Sequence, residues 1–340
     1  MIHLRHYSIV VLLVVGLVLQ TGASSGGEQR QSQPVTLKVL LLPYLDYVPL
    51  YIAEEEGYFA EQGLQVEFVR MTRSTAAIPI LAQGKLDVFA GVLRAGLLNA
   101  MARGAKIKFV AGQTYVAPTG CTYVALVVRR ALVESGELDN PAQLQGRRIS
   151  TSRATPSEYF LEKLLNAAGL TLEDIEIVDI PTPLEPEALE KGTIDALDAT
   201  EPWLTRILQA GHAVILMRAE QVMPNFERAF IAYGPALLDQ NPEAGRRFMV
   251  AYLKAVRQYN QGKTDRNLEI IAKHTGLDQE LLREVCWPPL RNDGQINMQS
   301  VLEFQAWALE KGYLDSTLTE DHFWDPRFVE YANQVLDTSP

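Results

Sequence analysis

Residues 49–68, PLYIAEEEGYFAEQGLQVEF, combine a helical segment, the glycines that end it and the strand that follows. The pattern predicts a helix over 49–56 that stops at Gly57, because glycine readily adopts the positive φ needed after a helix. A strand is predicted over 65–70. The near-continuous apolar run 36–42 precedes this stretch, as expected of a buried strand. A strand, a helix and a second strand in this order are typical of parallel sheets with helical crossovers.

The same alternation continues along the chain and divides it into two halves. Ser74 is expected to cap a helix that ends at Gly84, and Pro156 suits the first turn of a helix over 156–168. Further strands are predicted over 86–90, 107–111, 148–151, 175–180, 194–199 and 213–217, and later helices over 201–210, 242–259, 267–274, 279–286, 298–311 and 326–335. We therefore expect two sheets, wrapped by C-terminal helices.

An internal repeat supports two similar halves. The segment LAQGKLDV at 81–88 matches LEKGTIDA at 189–196 in its order of helix, glycine and strand. In each copy an aspartate, Asp87 or Asp195, stands at the start of the strand, where it can accept backbone hydrogen bonds. We interpret the two aspartates as structural caps rather than as a catalytic pair.

Residues 1–23 have the composition of a secretory signal peptide. A basic residue precedes the apolar run 9–19, which is shorter than the roughly 20 residues that a membrane-spanning helix needs. Small residues at Thr21 and Ala23 suit cleavage, and an uncleaved anchor is the alternative. Residues 24–34, rich in Ser, Gly and Gln, are expected to form a flexible tether.

Composition excludes several classes of protein. The chain has 340 residues, of which 47% are hydrophobic and 21% charged, so it can bury a sizeable core. A formal charge of -10 disfavours a nucleic-acid-binding protein, which usually presents a basic face. Cys121 and Cys286 form no CxxC pair, which excludes a zinc knuckle built on them. Their pairing cannot be deduced from the sequence, and Cys121 is expected to be a small buried residue.

The sequence resembles the bacterial solute-binding proteins of the nitrate, sulfonate and thiamine-pyrimidine uptake family. The match rests on landmarks in family order: 49–68, 81–87, 144–149 (LQGRRI), 168–170, 194–203 and 308–314 (ALEKGYL). The resemblance implies an α/β, bilobed periplasmic-binding-protein fold of type II, with two parallel-sheet lobes joined by crossing strands. On this basis lobe I comprises residues 35–122 and is completed by the mainly helical 230–340, and lobe II comprises 123–229.

The family also implies delivery of a small molecule to a membrane permease driven by a cytoplasmic ATPase. The chain itself has no phosphate-binding GxxxxGK[ST] loop, no HExxH and no GxSxG, so the common NTPase and hydrolase motifs are absent. We expect an extracytoplasmic, monomeric binding protein without cofactor, metal or enzymatic activity.

The ligand is expected beyond the carboxyl ends of the strands, where loops and helix N-termini converge. The candidate binding residues on these loops and on the crossing segment are Tyr44, Asp46, Tyr47, Arg73, Ser74, Gly91, Thr119, Arg153, Thr155, Tyr159, Glu201 and Trp203.

The types of these residues leave two classes of ligand open. Rings from Tyr44, Tyr47 and Trp203 would stack on a flat heteroaromatic such as riboflavin or a thiamine pyrimidine. Glu201 could accept hydrogen bonds from such a ligand, or it could cap the helix that it opens. In the alternative, Arg73 or Arg153 would clamp a sulfonate, taurine or nitrate.

An enzyme of the same fold is a third possibility. The resemblance extends to a pyrimidine-synthesising enzyme that consumes its own active-site histidine and carries a cysteine-rich loop. Here the five histidines, at 3, 6, 212, 274 and 322, fall outside the predicted cleft loops, and Cys121 is the only cysteine near the crossing segment. A sensor domain that signals to a membrane kinase is a further alternative, which would need a partner.

Overall fold

The structure is a computed structural model that describes residues 33–42, 44–71 and 74–338. The predicted signal segment 1–23, most of the tether 24–34 and the candidate residue Arg73 lie outside the described residues.

The described chain forms two five-stranded sheets with helices packed around them. The first sheet has the order β2-β1-β3-β10-β4 and the second β7-β6-β8-β5-β9. The strands are β1 Val35–Leu41, β2 Leu64–Arg70, β3 Val88–Val92, β4 Lys108–Tyr115, β5 Val124–Arg129, β6 Arg148–Ser150, β7 Glu176–Val178, β8 Ala196–Thr200, β9 Ala213–Arg218 and β10 Glu227–Tyr233. The α-helices are α1 Val48–Glu55, α2 Tyr58–Glu61, α3 Ala77–Ala82, α4 Ala95–Ala102, α5 Arg130–Glu134, α6 Pro156–Ala167, α7 Glu185–Glu190, α8 Trp203–Gln209, α9 Pro242–Tyr259, α10 Asp265–Thr275, α11 Gln279–Glu284, α12 Met298–Glu310, α13 Glu320–Phe323 and α14 Arg327–Thr338.

Both sheets are mixed rather than parallel, which corrects the expectation of parallel sheets. Strand β10 lies antiparallel between β3 and β4, and β5 lies antiparallel between β8 and β9. Neither strand was predicted. Each one directly follows a strand of the other sheet, so the chain crosses between the sheets twice, through 116–123 and 219–226.

Helix α9 has the predicted bounds and supplies much of the core beside the first sheet. Its Phe248 is buried and stacks on Phe59, with ring centroids 5.3 Å apart. The Tyr233 hydroxyl donates a hydrogen bond of 2.8 Å to the carbonyl of Gly245. A Cβ atom at Gly245 would lie 2.8 Å from the Phe328 ring and 3.0 Å from the Tyr233 ring, so this close approach needs glycine.

The role predicted for Ser74 is wrong. Ser74 opens a short 3-10 turn, Ser74–Ala76, and α3 begins only at Ala77 without a side-chain cap. The Ser74 hydroxyl instead accepts a hydrogen bond of 3.2 Å from Nε of Arg94. The serine therefore ties the start of this turn to the end of the neighbouring β3–α4 connection.

The two repeated aspartates are confirmed as structural caps. Oδ2 of Asp87 accepts a hydrogen bond of 2.7 Å from the backbone N–H of Lys38, and the backbone N–H of Asp87 donates back to the Lys38 carbonyl. In the second sheet Asp195 makes the same pair of bonds with Arg148, at 3.0 Å and 2.8 Å. The repeat in the sequence therefore corresponds to the same pair of hydrogen bonds at the start of a strand in each sheet.

The two cysteines form a disulfide between Cys121 and Cys286. It joins the first crossing segment to the residues that follow α11. Cys121 is exposed, so its expected place as a small buried residue is wrong. Within the described part of the chain, every helix is too short or too polar to cross a membrane.

Replacing Asp195 should destabilise the fold. In Asp195→Ala the backbone N–H of Arg148 and the guanidinium groups of Arg148 and Arg129 lose a carboxylate that is 7% exposed. We expect the free energy of unfolding to fall by about 1 to 3 kcal/mol in urea titrations. The control Asp315→Ala removes an exposed ion pair with Arg103 and should change it by less than about 0.5 kcal/mol. Equal effects of the two substitutions would contradict the capping role.

Candidate functional site

Two adjoining cavities open where the carboxyl ends of parallel strands from both sheets face each other. The outer cleft, of about 530 Å³, is bordered by Ser74, Gly91, Arg153, Asp179 and Pro183. The inner pocket, of about 170 Å³, is bordered by Thr114, Tyr123, Asp198, Glu201 and Arg228. Both cavities share Tyr44, Asp46, Val92, Arg94, Thr151, Ser152, Thr182 and Glu185. The position agrees with the rule that ligands bind at the carboxyl edge of open α/β sheets.

Most of the candidate residues come together at these cavities. Those that line one or both are Tyr44, Asp46, Tyr47, Ser74, Gly91, Arg153, Thr155 and Glu201. Tyr47 is held by a hydrogen bond of 2.7 Å from its hydroxyl to the Ala90 carbonyl. Arg153 is exposed and lies 3.4 Å from the Glu158 carboxylate.

Three candidate residues border neither cavity, which corrects their expected positions. Tyr159 is buried on the inner face of α6, with its ring 5.2 Å from that of Phe226 and 5.3 Å from that of Trp307. Trp203 packs against the apolar cluster of the second sheet, and the Arg206 guanidinium lies 5.3 Å from its ring centroid. Thr119 is exposed on the crossing segment.

Sequence analysis missed Tyr123 and Arg228, which border the inner pocket, and it also missed Glu185 and Asp198. Tyr123 directly precedes β5, and Arg228 is the second residue of β10. Because these strands run antiparallel to their neighbours, their amino ends lie at the edge where the other strands have their carboxyl ends. A rule that considers only the carboxyl ends of strands therefore does not find Tyr123 and Arg228. The apolar runs VALVVR and ERAFIAY were the available signal for these strands.

Carboxylates outnumber guanidinium groups in the inner pocket. The acids are Asp46, Glu185, Asp198 and Glu201, and the bases are Arg94 and Arg228. Glu185 is buried and accepts a hydrogen bond of 2.7 Å from the Ser150 hydroxyl. This excess of acceptors favours a ligand that presents N–H or O–H groups.

Burial shifts the titration of these acids. Desolvation raises the pKa of Glu185 to about 8, and the nearby carboxylates of Asp198 and Asp179 act in the same direction. It raises the pKa of Asp46 to about 6, against the opposing charge of Arg228. Burial also raises the pKa of Asp198, again opposed by Arg228. The charged forms of these groups therefore need hydrogen-bond donors beyond those that the protein supplies.

Glu201 combines a cavity position with a capping role. Its carboxylate accepts hydrogen bonds from the backbone N–H and the hydroxyl of Thr205, at 3.0 Å and 2.8 Å. The backbone N–H of Cys286 donates a third bond of 3.2 Å. Glu201 thus caps the start of α8 and links the second sheet to the disulfide.

The start of α6 is occupied by acceptors from the protein. The Thr155 hydroxyl accepts from the backbone N–H of Ser157 at 3.2 Å. The buried Glu158 carboxylate accepts from the backbone N–H of Ala154 at 2.6 Å. A carboxylate in the first turn satisfies the helix dipole and repels a further anion.

The histidines that the structure describes lie away from both cavities. Histidines 212, 274 and 322, which are the ones that the structure describes, border neither of them. Among the described residues no group of His, Cys, Asp and Glu side chains is arranged to hold a metal ion.

The family model described as "NMT1/THI5 like" matches residues 45–261. The chain belongs to this family. The resemblance noted in the sequence is thereby confirmed, and the match covers the α1–β2 landmark and both crossing segments.

Three proteins illustrate what this chain is similar to in sequence or in fold. The formylaminopyrimidine-binding protein of Halalkalibacterium halodurans is 25% identical over 264 residues, which cover 74% of each chain. The periplasmic aliphatic sulphonate binding protein SsuA from Escherichia coli superposes with a TM-score of 0.70 at 15% identity, over 86% of this chain and 93% of that one. The desulfurization enzyme DSZB superposes with a TM-score of 0.65 at 16% identity, over 89% of this chain and 99% of that one. The bilobed α/β fold is therefore confirmed, with mixed sheets.

Glu185 should make the stability of the ligand-free protein depend on pH. Its carboxyl has a pKa of about 8 in the folded protein and an ordinary value of 4.5, so between these values the folded state holds one proton more than the unfolded state. The free energy of unfolding then falls as pH rises, by up to about 1.4 kcal/mol per pH unit from this group. We expect Glu185→Gln to flatten this decline in urea titrations between about pH 5 and pH 8.

The control for this experiment is Glu187→Gln, an exposed residue on the same helix. It removes the same charge and should leave the pH dependence of the wild type in place. If the free energy of unfolding of Glu185→Gln falls with pH as steeply as that of the wild type and of Glu187→Gln, Glu185 titrates at its ordinary pKa.

Proposed function

We propose that the protein is the extracytoplasmic solute-binding component of an ABC importer, and that it captures a heteroaromatic vitamin or vitamin precursor rich in hydrogen-bond donors. Riboflavin and the thiamine pyrimidines are the compounds to test. The observation that carries the proposal is the excess of carboxylates over guanidinium groups at the inner pocket. The ligand would be handed to a membrane permease that is driven by a cytoplasmic ATPase.

The electrostatics of the cavities favour donors over anions. Nitrate and alkanesulfonates have acceptors only, so they would leave Asp198 without a new donor and would add a negative charge beside it. The start of α6 already holds the Glu158 carboxylate. A pyrimidine with an amino group, or an isoalloxazine ring, supplies N–H donors together with acceptors for Arg228.

Shape and ring contacts support a flat ligand. Tyr44 borders both cavities, and Tyr47 borders the outer cleft. Their rings could stack on a heteroaromatic at low entropic cost. We further propose that lobe I, 35–122 with 230–340, and lobe II, 123–229, close over the ligand by bending at the two crossing segments.

The disulfide supports a location outside the cytoplasm. Disulfides persist in oxidising compartments such as the periplasm and the cell surface. The Cys121–Cys286 bond agrees with secretion through the predicted signal segment 1–23. We propose that the protein acts there as a monomer, without a nucleic-acid partner and without enzymatic activity.

A sulfonate, taurine or nitrate receptor is the second candidate. Arg94 and Arg228 both border the inner pocket, and their guanidinium groups suit oxyanions. The likeness to SsuA concerns the fold and does not choose between the two classes.

A ligand screen tests the proposal. The chain from about residue 24 would be titrated by calorimetry and thermal shift with riboflavin, thiamine, 4-amino-5-hydroxymethyl-2-methylpyrimidine, formylaminopyrimidine, taurine, alkanesulfonates and nitrate. A ligand present at 100 times its Kd adds about 2.7 kcal/mol to the stability of the folded state. Binding of a pyrimidine or of riboflavin would support the proposal, whereas binding of anions alone would overturn it in favour of the second candidate.

Substitution of aromatic residues provides an independent check. Tyr44→Ala should weaken a heteroaromatic ligand by about 1 to 3 kcal/mol, because a ring that borders both cavities is lost. Trp203→Ala is the matched control: its ring lies outside both cavities, so the affinity should stay within about twofold. A loss of affinity in Trp203→Ala with no loss in Tyr44→Ala, measured by calorimetry, would move the site away from these cavities.

A further inference from the structure

Four buried polar atoms of the inner pocket have no hydrogen-bond partner among the described residues. They are the Tyr123 hydroxyl, Oγ1 of Thr151, Oδ1 of Asp198 and Nη1 of Arg228. Tyr123 and Thr151 are each 5% exposed and Arg228 is 6% exposed. A buried polar atom without a partner costs about 1 to 3 kcal/mol, so four such atoms at one small cavity point to a ligand that pairs with them.

The four atoms belong to residues that lie in, or directly next to, strands of both sheets. Arg228 lies in β10 of the first sheet, and Asp198 lies in β8, opposite Leu126 of β5. Thr151 directly follows β6, and Tyr123 directly precedes β5. Because both sheets contribute, a ligand at these atoms would hold the two halves of the chain together.

The Ser157 hydroxyl interacts with both Arg228 and Asp198. Nη2 of Arg228 donates a hydrogen bond of 3.4 Å to the Ser157 hydroxyl, which leaves Nη1 for another acceptor. Burial raises the pKa of Asp198, whereas the charge of Arg228 and a hydrogen bond from the Ser157 hydroxyl lower it. The guanidinium carbon lies 5.8 Å from the Tyr123 ring centroid, so the tyrosine covers one side of the arginine.

We infer that Arg228 and Asp198 form a donor–acceptor couple that recognises the edge of a single planar nitrogen heterocycle in which an acceptor atom and an N–H donor are adjacent. Nη1 of Arg228 donates to the ring nitrogen or carbonyl, and Oδ1 of Asp198 accepts from the amino group or ring N–H. This inference rests on the proposed function, since it names the part of the ligand that enters the inner pocket. The hydroxyl groups of Tyr123 and Thr151 flank the couple and can donate or accept.

Size and chemistry limit the group that fits. A volume of about 170 Å³ is below the roughly 300 to 1,000 Å³ of sites for drug-sized ligands, so one ring enters and the rest of a larger ligand lies in the outer cleft. Nitrate or an alkanesulfonate could pair with Arg228, but it has no hydrogen for Asp198. Recognition of a hydrogen-bonding edge gives strong discrimination, because a ligand that lacks the donor leaves the buried carboxylate unpaired.

The test compares two probes and three variants of the chain from about residue 24 by calorimetry. The probes are 4-amino-5-hydroxymethyl-2-methylpyrimidine and 5-hydroxymethyl-2-methylpyrimidine, which lacks the amino donor but keeps the ring nitrogens. The wild type should bind the amino probe at least tenfold more tightly. Asp198→Ala should bring this ratio to within about threefold, whereas Arg228→Lys should weaken both probes about tenfold and keep the ratio.

The control Glu187→Ala removes an exposed carboxylate outside both cavities and should keep both affinities. Circular dichroism verifies that each variant is folded, and Asp198→Leu, which has a similar shape and no acceptor, replaces Asp198→Ala if the latter is not. Equal affinities of the wild type for the two probes, or equal losses for both in the Asp198 variant, would overturn the inference while the proposed function stands. Failure of the wild type to bind any heteroaromatic compound would overturn both.

Discussion

The two strands that follow the crossing segments determine how the rest of the structure is arranged. Each of them, β5 and β10, lies antiparallel between two strands of the sheet that it enters. Their amino ends are therefore placed at the edge where the parallel strands end, and the carboxyl edges of the two sheets face each other. Tyr123 and Arg228 come into the inner pocket for this reason, beside polar residues that follow β1, β3, β6 and β8.

A buried arginine surrounded by acids is the chemical consequence of this topology. Arg228 opposes the effect of burial on Asp46 and on Asp198, yet one of its own nitrogens lacks a partner within the described chain. Two guanidinium groups face four carboxylates at the inner pocket, and burial together with the charges of Asp198 and Asp179 raises the pKa of Glu185 to about 8. A ligand that brings both donors and acceptors satisfies this set of groups, which a simple anion cannot do.

The sequence predicted the strands with helical crossovers well, because apolar periodicity and glycine stops are local signals. The caps at Asp87 and Asp195 were also predictable, since the repeat of 81–88 at 189–196 is visible without a structure. Strands β5 and β10 were missed because their pairing is set by distant parts of the chain, and Arg228 was missed with them. The position of Trp203 was predicted wrongly because a side chain on a loop after a strand can point to either side. The Trp203 ring packs against the second sheet rather than into the cleft.

The most direct test of this account is a crystal structure of the protein with 4-amino-5-hydroxymethyl-2-methylpyrimidine, or with the heteroaromatic compound that binds most tightly in the screen. We predict that the ring lies in the inner pocket. An N–H group of the ligand should lie within about 3.2 Å of Oδ1 of Asp198, and an acceptor of the ligand should lie within about 3.2 Å of Nη1 of Arg228. A ligand bound away from these two atoms, or an anion on Arg228 with Asp198 left unpaired, would contradict it.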